Sequence, residues 1–589
     1  MIYRQLEQQL RHAVAKILPD ADTSSLLVRP CPDPKFGDYQ TNALMALAKE
    51  RKLNPRQLAE QVKAALDVTT LCDAVDIAGA GFLNFRVKPA AMEAALLEVA
   101  RGTHQFYQPT DRPRTIVLDF SSPNVAKPMH VGHIRSTILG DCLARNFRLL
   151  GHRVITDNHI GDWGTQFGKL LVGWKTQLNG VALRADPIAE MERLYKTINA
   201  AGDNDPAVLE SARQELVKLQ GGDEENLRIW KEMIALSQVQ FDTIYRRLGV
   251  TFDVALGESF YNPRLKTVVQ ELCDRGLARE SDGARCVFSD GSVPPKEDPF
   301  LIQRDGEWLP NPCLIQKSDG AANYATTDLA TLAYRLETWA PAEIVYVTDG
   351  RQQLHFRQIF TTFRRWHPEL SDQVRLAHVW FGSILGDDGK PFKTRSGETV
   401  KLADLLDEAE ERALTVVNQK SPELPEDQRR QIARVVGLGA VKYADLLPNR
   451  QSDYVFSWDK MLSLQGNTAP YLQYAYARVR SIFRKARETG VEITECRQLR
   501  LGAPEEIALA RQLLNFGLVL EAVGQEYRPN FLCNYLYDLS GFFARFYESC
   551  PVLKADGPER ASRLALCDLT ARVLKQGLAV LGIEVVEQM

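Results

Sequence analysis

The feature that most constrains this chain is a strand–loop–helix–strand unit beginning at residue 115. Residues 115–120 (TIVLDF) form a short apolar run, the signature of a strand buried on both faces of a parallel sheet. The loop SSPNVAKPM leads into HVGHIRSTILGDCLARNFRLLG. There Ile134, Ile138, Cys142 and Leu143 recur at helical spacing and Gly151 supplies a stop. HRVITD follows as a second strand. Two strands joined through a helix are the repeating unit of a doubly wound sheet. Residues 343–348 (EIVYVT) and 374–380 (VRLAHVW) read as later strands of that sheet.

The rest of the chain is arranged around this α/β core. Residues 1–108 read as a separate α+β unit: a first amphipathic helix over 1–17, a strand over 26–29, helices over 42–50 and 55–66, and an alternating strand in GAGFLNFRV. QPTDRPR has linker composition. The catalytic candidate runs over 109–455, with a charged, mostly helical insertion at about 174–300. After that the strand signals fade, and 456–589 reads as an all-helical domain. The expected fold class is therefore a Rossmann-type α/β domain with a helical insertion, an N-terminal α+β domain and a C-terminal all-α domain.

Composition narrows the function. Of 589 residues, 45% are hydrophobic and 25% charged, as in a soluble globular protein, and no run reaches the roughly 20 apolar residues of a membrane span. The first residues lack a signal peptide's apolar core and cleavage site. Ten scattered cysteines without a CxxC pair argue against zinc ribbons and disulfide scaffolds, and point to a reducing, cytoplasmic setting. Lys+Arg is 72 against Asp+Glu 75. Nonspecific nucleic-acid coating favours a basic protein, but one folded RNA bound over a broad surface is compatible with this balance, so net charge does not decide the partner; no DNA partner is expected.

The chemistry concentrates in four places. His130-Val131-Gly132-His133 opens a helix, whose free N–H groups and dipole suit phosphate. Gly132 admits a base or ribose, the two imidazoles add donors, and Lys127 adds charge. The bland alternative is that the histidines merely cap the helix. GDDGKPFKTRSG (386–397) is a glycine-rich cationic loop carrying Lys390, Lys393 and Arg395, suited to closing over departing pyrophosphate; its alternative is a solvated basic turn. Tyr324 and Asp328 lie four apart on one helix face, where a phenol and a carboxylate suit a guanidinium; the alternative is an ordinary helix acid. GDWGTQFG (161–168) reads as tight packing beneath the site. No GxxxxGK[ST] is present, so ATP is not held by a P-loop.

SSPNVAKPMHVGHIRSTILGD with DNHIGDWGTQFG resembles the catalytic core of arginyl-tRNA synthetases, a class I aminoacyl-tRNA synthetase family, and the similarity extends over the whole chain. It implies attachment of L-arginine to tRNA(Arg) through an arginyl-adenylate, with ATP as substrate, Mg2+ carried with it and no dedicated protein metal site; the sequence leaves the oligomeric state open, with a monomer the expectation. It implies that Asn124, Tyr324, Asp328 and Gln352 contact arginine. His130, Gly132, His133, Lys390 and Lys393 would contact ATP, with Lys127, His130, His133, Lys393 and Arg395 acting in catalysis. Phe82 and Asn84 would touch the tRNA elbow; Tyr471, Tyr474 and Met589 would meet the anticodon loop. The class signature KMSKS is replaced by KPFKTRSG, and Lys127 would supply the missing charge. Another class I synthetase, a small adenylyltransferase and a non-enzymatic RNA-binding paralogue are the alternatives. The adenylyltransferase would not need the helical C-terminal domain, and the paralogue would be expected to have lost His130, His133, Lys127 or Asp328.

Overall fold

The computed structural model describes residues 1–393, 399–493 and 495–589. The chain forms two compact units, one of Asp111–Arg412 with Pro448–Asp459, the other of Met1–Thr110, Ala413–Leu447 and Lys460–Met589.

The first unit is built on a four-stranded, all-parallel sheet in the order Arg375–His378, Glu343–Val347, Thr115–Phe120, Arg153–Asp157. The central strand Glu343–Val347 is buried throughout, which is why its sequence shows no alternation. Val117, Ile155, Ile344 and Tyr346 pack with Leu329 and Leu332 of the helix Tyr324–Trp339 and with Phe356, Ile359 and Phe363 of the helix Gln353–Trp366. The α/β reading of the sequence holds.

The insertion differs from expectation only after Asp274. Helices run from Gln166 to Asp274, but Ala278–Ser281, Ala284–Val287 and Cys313–Gln316 then form an antiparallel sheet, and Leu301–Arg304 pairs with Glu307–Pro310. Both hairpins turn on Asp-Gly: Asp282 and Gly283 have φ of 51° and 76°, Asp305 and Gly306 of 50° and 85°. Such two-residue turns match the twist of the flanking strands. Each of these strands is only four residues long, at the short limit of the alternation that marks a strand in sequence.

In the second unit, residues 1–110 carry an antiparallel sheet ordered Arg29–Pro30, Tyr39–Thr41, Phe82–Val87, Cys72–Ala78. The strand expected over 26–29 is shorter and later, and Cys72–Ala78 was not anticipated. This sheet domain joins the C-terminal helices: Tyr3 OH donates to Glu521 Oε1 (2.6 Å), Arg4 pairs with the same carboxylate (2.7 Å), and Arg511 pairs with buried Asp38. The helical stretch Ala413–Leu447 belongs with these helices, whereas the sequence reading runs the catalytic domain on to 455. Its Ala413, Val417, Ile432, Ala433 and Val436 form an apolar cluster that takes Val586 and Met589. Contrary to the expectation that no run is long enough, Pro504–Glu526 is long and apolar enough to cross a membrane by length and composition. It is 61% buried within the fold, as a core helix is. All ten cysteines are free.

Candidate active site

The chemistry-bearing residues gather around the carboxyl ends of the parallel strands, where open α/β sheets place their ligands. The loop after Phe120 holds three non-glycine residues in the left-handed region: Ser121 (φ 74°), Ser122 (49°) and Ala126 (62°). Each such residue costs about 1–3 kcal/mol and persists only where its surroundings over-determine it. Here they do. Ser121 N–H donates to Ser136 Oγ (2.8 Å), and Ser121 Oγ bonds Thr137 Oγ1 and Tyr245 OH (both 2.8 Å). Ser122 N–H donates to Asn158 Oδ1 (3.1 Å) and Ala126 N–H to Ser237 Oγ (2.9 Å). Asn124 is exposed within this loop. Its Oδ1 lies over Gly161, where any Cβ would collide with it.

The loop delivers His130 to the start of the helix Val131–Leu149. The bland reading is realised: Gly132 N–H donates to His130 Nδ1 (3.1 Å) and His130 N–H to His133 Nδ1 (3.0 Å), a reciprocal cap. Capping and ligand binding are compatible, however. With each Nδ1 accepting, the ring proton resides on Nε2, so each neutral imidazole keeps an N–H donor. Burial lowers both pKa values, that of His133 to about 3, so the rings are neutral at pH 7. Lys127 and Arg351 push His130 the same way. The structure also revises the role of Gly132: a Cβ there would meet His130 Cε1 at 2.9 Å, so the glycine makes room for the capping ring itself.

Lys127 Nζ lies 5.0 Å from the centroid of Tyr195, on an insertion helix. Lys390 and Lys393 are exposed on a loop closed by Leu385–Pro391 and Lys393–Thr399 pairing, with Phe392 stacked on Phe456 at 4.4 Å. Neither lysine bonds His130, His133 or Lys127. Arg395 lies outside the described residues.

Tyr324 and Asp328 occupy the first turns of their helix, as expected, and Asn323 caps it through Tyr324 N–H (2.9 Å). Tyr324 is 61% exposed. The Asp328 carboxylate is engaged: His355 Nε2 donates to Oδ2 at 2.5 Å, and the Tyr324 and His355 rings are 4.8 Å apart. Gln352 is exposed on the turn leading into His355's helix, so Tyr324, Asp328 and the Gln352 segment are brought together. Asn124 joins them less directly, through Gly161 and its neighbour Asp162. Asp162 accepts from Ser259 N–H (2.8 Å) and Oγ (2.6 Å), beside Glu258.

Three residues here were not anticipated. Glu258 is buried enough to push its carboxyl up to about 7, with the charges of Asp328 and Asp162 adding to the effect and His159 opposing it. His355 stood in GRQQLHF as a lone histidine. Arg335, fully buried, donates through Nη2 to Asp119 Oδ2 (2.6 Å) and Asp157 Oδ2 (2.7 Å), tying the helix of Tyr324 and Asp328 to two strand ends. Only the i, i+7 relation of Asp328 and Arg335 hinted at it. A cavity of about 410 Å³ lies at the opposite end of that helix, around Ala340, Phe363 and His367, away from these groups.

In the other unit, Phe82 is half-buried and Asn84 is buried on the same strand. Tyr471 faces Tyr537 (5.6 Å) while Tyr474 is exposed. The C-terminal segment is fastened along the helix Ala469–Glu488: Gln473 donates to Glu584 O (2.8 Å), Tyr476 OH and Arg480 Nε to the Glu587 carboxylate (2.6 and 3.0 Å), and Arg484 to Glu587 O (2.7 Å). Met589 is docked on the apolar cluster around Val417 and Val436.

A parallel sheet that presents HxGH at a helix start, in a chain that ends in a helical bundle, is the architecture of the class I tRNA synthetases. The model described as "tRNA synthetases class I (R), catalytic domain" matches residues 95–458. "Arginyl tRNA synthetase N terminal domain" matches 4–87 and "DALR anticodon binding domain" 472–589. Arginine–tRNA ligases of Hahella chejuensis and Cellvibrio japonicus are 47% and 46% identical, covering 99% of this chain and 100% and 99% of theirs. Solved arginyl-tRNA synthetases from Thermus thermophilus (TM-score 0.82, 25% identity, full coverage of both chains) and Plasmodium falciparum (0.80, 29%, 100% of this chain and 99% of that one) share the fold. The chain belongs to the arginyl-tRNA synthetase family.

Proposed function

We infer that the chain attaches L-arginine to tRNA(Arg). The arginine carboxylate attacks the α-phosphate of ATP, forming arginyl-adenylate and expelling pyrophosphate. The 2′-hydroxyl of the tRNA's terminal adenosine then attacks the adenylate carbonyl, and AMP leaves. Positioning and charge stabilisation supply most of the acceleration in such transfers.

In this reading the Nε2–H groups of His130 and His133 donate to ATP, with Gly132 between them. Lys127 supplies charge to the pyrophosphate, joined by one or more of Lys390, Lys393 and Arg395 from the cationic loop, and Mg2+ arrives with the nucleotide, held mainly by phosphates. Asn124 orients the amino-acid end, while Tyr324, Asp328 and Gln352 take the guanidinium. Residues 1–108 contact the tRNA elbow through Phe82 and Asn84. Asn84, being buried, would act by shaping the strand or after local opening. Residues 109–455 hold the catalytic site, and Tyr471, Tyr474 and Met589 in 456–589 meet the anticodon loop. The protein works as a cytoplasmic monomer.

One observation carries the substrate assignment: a carboxylate, Asp328, held on a helix beside an exposed phenol, with a second acid, Glu258, near enough for their charges to repel. That arrangement suits a planar cation, and a site built to satisfy a guanidinium rejects analogues lacking it by roughly 10⁴–10⁵. The test is charging of tRNA with each of the twenty amino acids. Arginine alone is expected to be accepted, and ATP–pyrophosphate exchange by RNA-free protein should be near background until tRNA is added. Charging of another amino acid, or adenylation without any tRNA transfer, overturns the assignment.

A further inference from the structure

We propose that His355 is a positioning residue for the arginine pocket, holding the Asp328 carboxylate in the orientation that receives the guanidinium. The proposal rests on the reading of Asp328 given above. Asp328 lies on the second turn of a helix and is partly exposed. An aspartate in that setting can rotate about two torsions, and a ligand that needs one rotamer must select it. His355 removes this freedom. Its Nε2–H reaches Asp328 Oδ2 at 2.5 Å from the first turn of the neighbouring helix, Gln353–Trp366.

The imidazole is itself held. The Tyr324 ring lies 4.8 Å away on one side, and the Phe356 ring, tilted by 72°, is 5.2 Å away. Tyr324, His355 and Asp328 therefore form one contiguous unit across two helices, the first of which Arg335 ties to the ends of the sheet strands. An ionised carboxylate has about four acceptor positions. His355 occupies one, leaving both positions of Oδ1 and one of Oδ2 for a planar fork. His355 thereby fixes the carboxylate while leaving most of its acceptor positions for the substrate. It does so beside Glu258, whose charge disfavours a second anion.

The experiment measures KM for arginine, ATP and tRNA, with kcat and melting temperature, for His355→Leu, His355→Gln and Asp328→Asn. A hydrogen bond to a charged group predicts that His355→Leu raises KM for arginine roughly ten- to hundredfold. KM for ATP and tRNA should stay within about twofold. Glutamine places an amide N–H near the position of Nε2, so His355→Gln should recover arginine KM to within about fivefold of wild type. In an Asp328→Asn background, His355→Leu should add little, because the group it orients has lost its charge. If the leucine variant does not fold, His355→Asn, polar but too short to reach Oδ2, should show the same selective rise. The proposal is overturned if His355→Leu leaves arginine KM within about twofold, or if all three KM values and the melting temperature move together without rescue by glutamine. An unaffected arginine KM in Asp328→Asn alone would instead sink the pocket assignment.

Discussion

Replacing Arg335 with Met keeps a long flexible chain in the core but leaves Asp119 and Asp157 facing each other as register neighbours on adjacent strands. Asp157 is fully buried and Asp119 nearly so. Burial already raises the Asp157 carboxyl, and Arg335 is the main influence opposing that rise. Removing one partner of a buried charge pair costs about 3–5 kcal/mol. At about 2.1 cal/mol/K of unfolding entropy per residue, a unit of this size should lose roughly 5–8 °C of melting temperature at pH 8. The pH dependence identifies the cause. Without the guanidinium the Asp157 carboxyl should titrate further above its unfolded value, so folding of the variant favours its protonated form. Stability contributed in that way is present below the unfolded pKa and is lost as pH rises through the folded one. The deficit should therefore shrink between pH 8 and pH 5, and Arg335→Met/Asp119→Asn should recover part of it at pH 8. Calorimetric melting of the full chain at pH 5, 6, 7 and 8 reads all of this. A deficit independent of pH would mean that Arg335 contributes packing alone, and a variant as stable as wild type at pH 8 would refute the reasoning.

Other consequences can be measured separately. With its carboxyl raised from 4.5 to about 7, chiefly by burial, Glu258 destabilises the free fold by roughly 3 kcal/mol above pH 7. Glu258→Gln should therefore raise the melting temperature at pH 8, have little effect near pH 4.5, and weaken arginine binding; unchanged melting at pH 8 would show that the group is better solvated than this geometry implies. Lys127→Ala should slow adenylate formation in single-turnover experiments while leaving equilibrium arginine binding nearly unchanged, since its partner charge grows only in the transition state; weakened arginine binding with a normal chemical step would reassign it. Deleting 587–589 removes the Glu587 bonds to Tyr476 and Arg480 together with the docked Met589. KM for tRNA should rise severalfold and discrimination against an altered anticodon should fall, with ATP and arginine KM unmoved; intact discrimination would place anticodon reading elsewhere.

Local patterns carried much of this protein. The buried strand at 115–120, the helix opened by His130 and the face shared by Tyr324 and Asp328 are consequences of period and spacing, which depend only on near neighbours in the chain. The two Asp-Gly hairpins were equally local, but their four-residue strands show too little alternation to mark them. What the sequence alone determined was the set of chemical groups and the elements bearing them. Which groups meet was decided by the tertiary structure. His355 reaches Asp328 from 27 residues away, and Glu258 lies on an unremarked turn 70 residues before Asp328. Arg335 bridges strands whose residues lie 216 and 178 positions earlier. Such contacts leave no periodic trace. A buried acid or guanidinium looks like any surface charge in the sequence until folding removes water from around it, and only then do its partners and its proton affinity acquire their values.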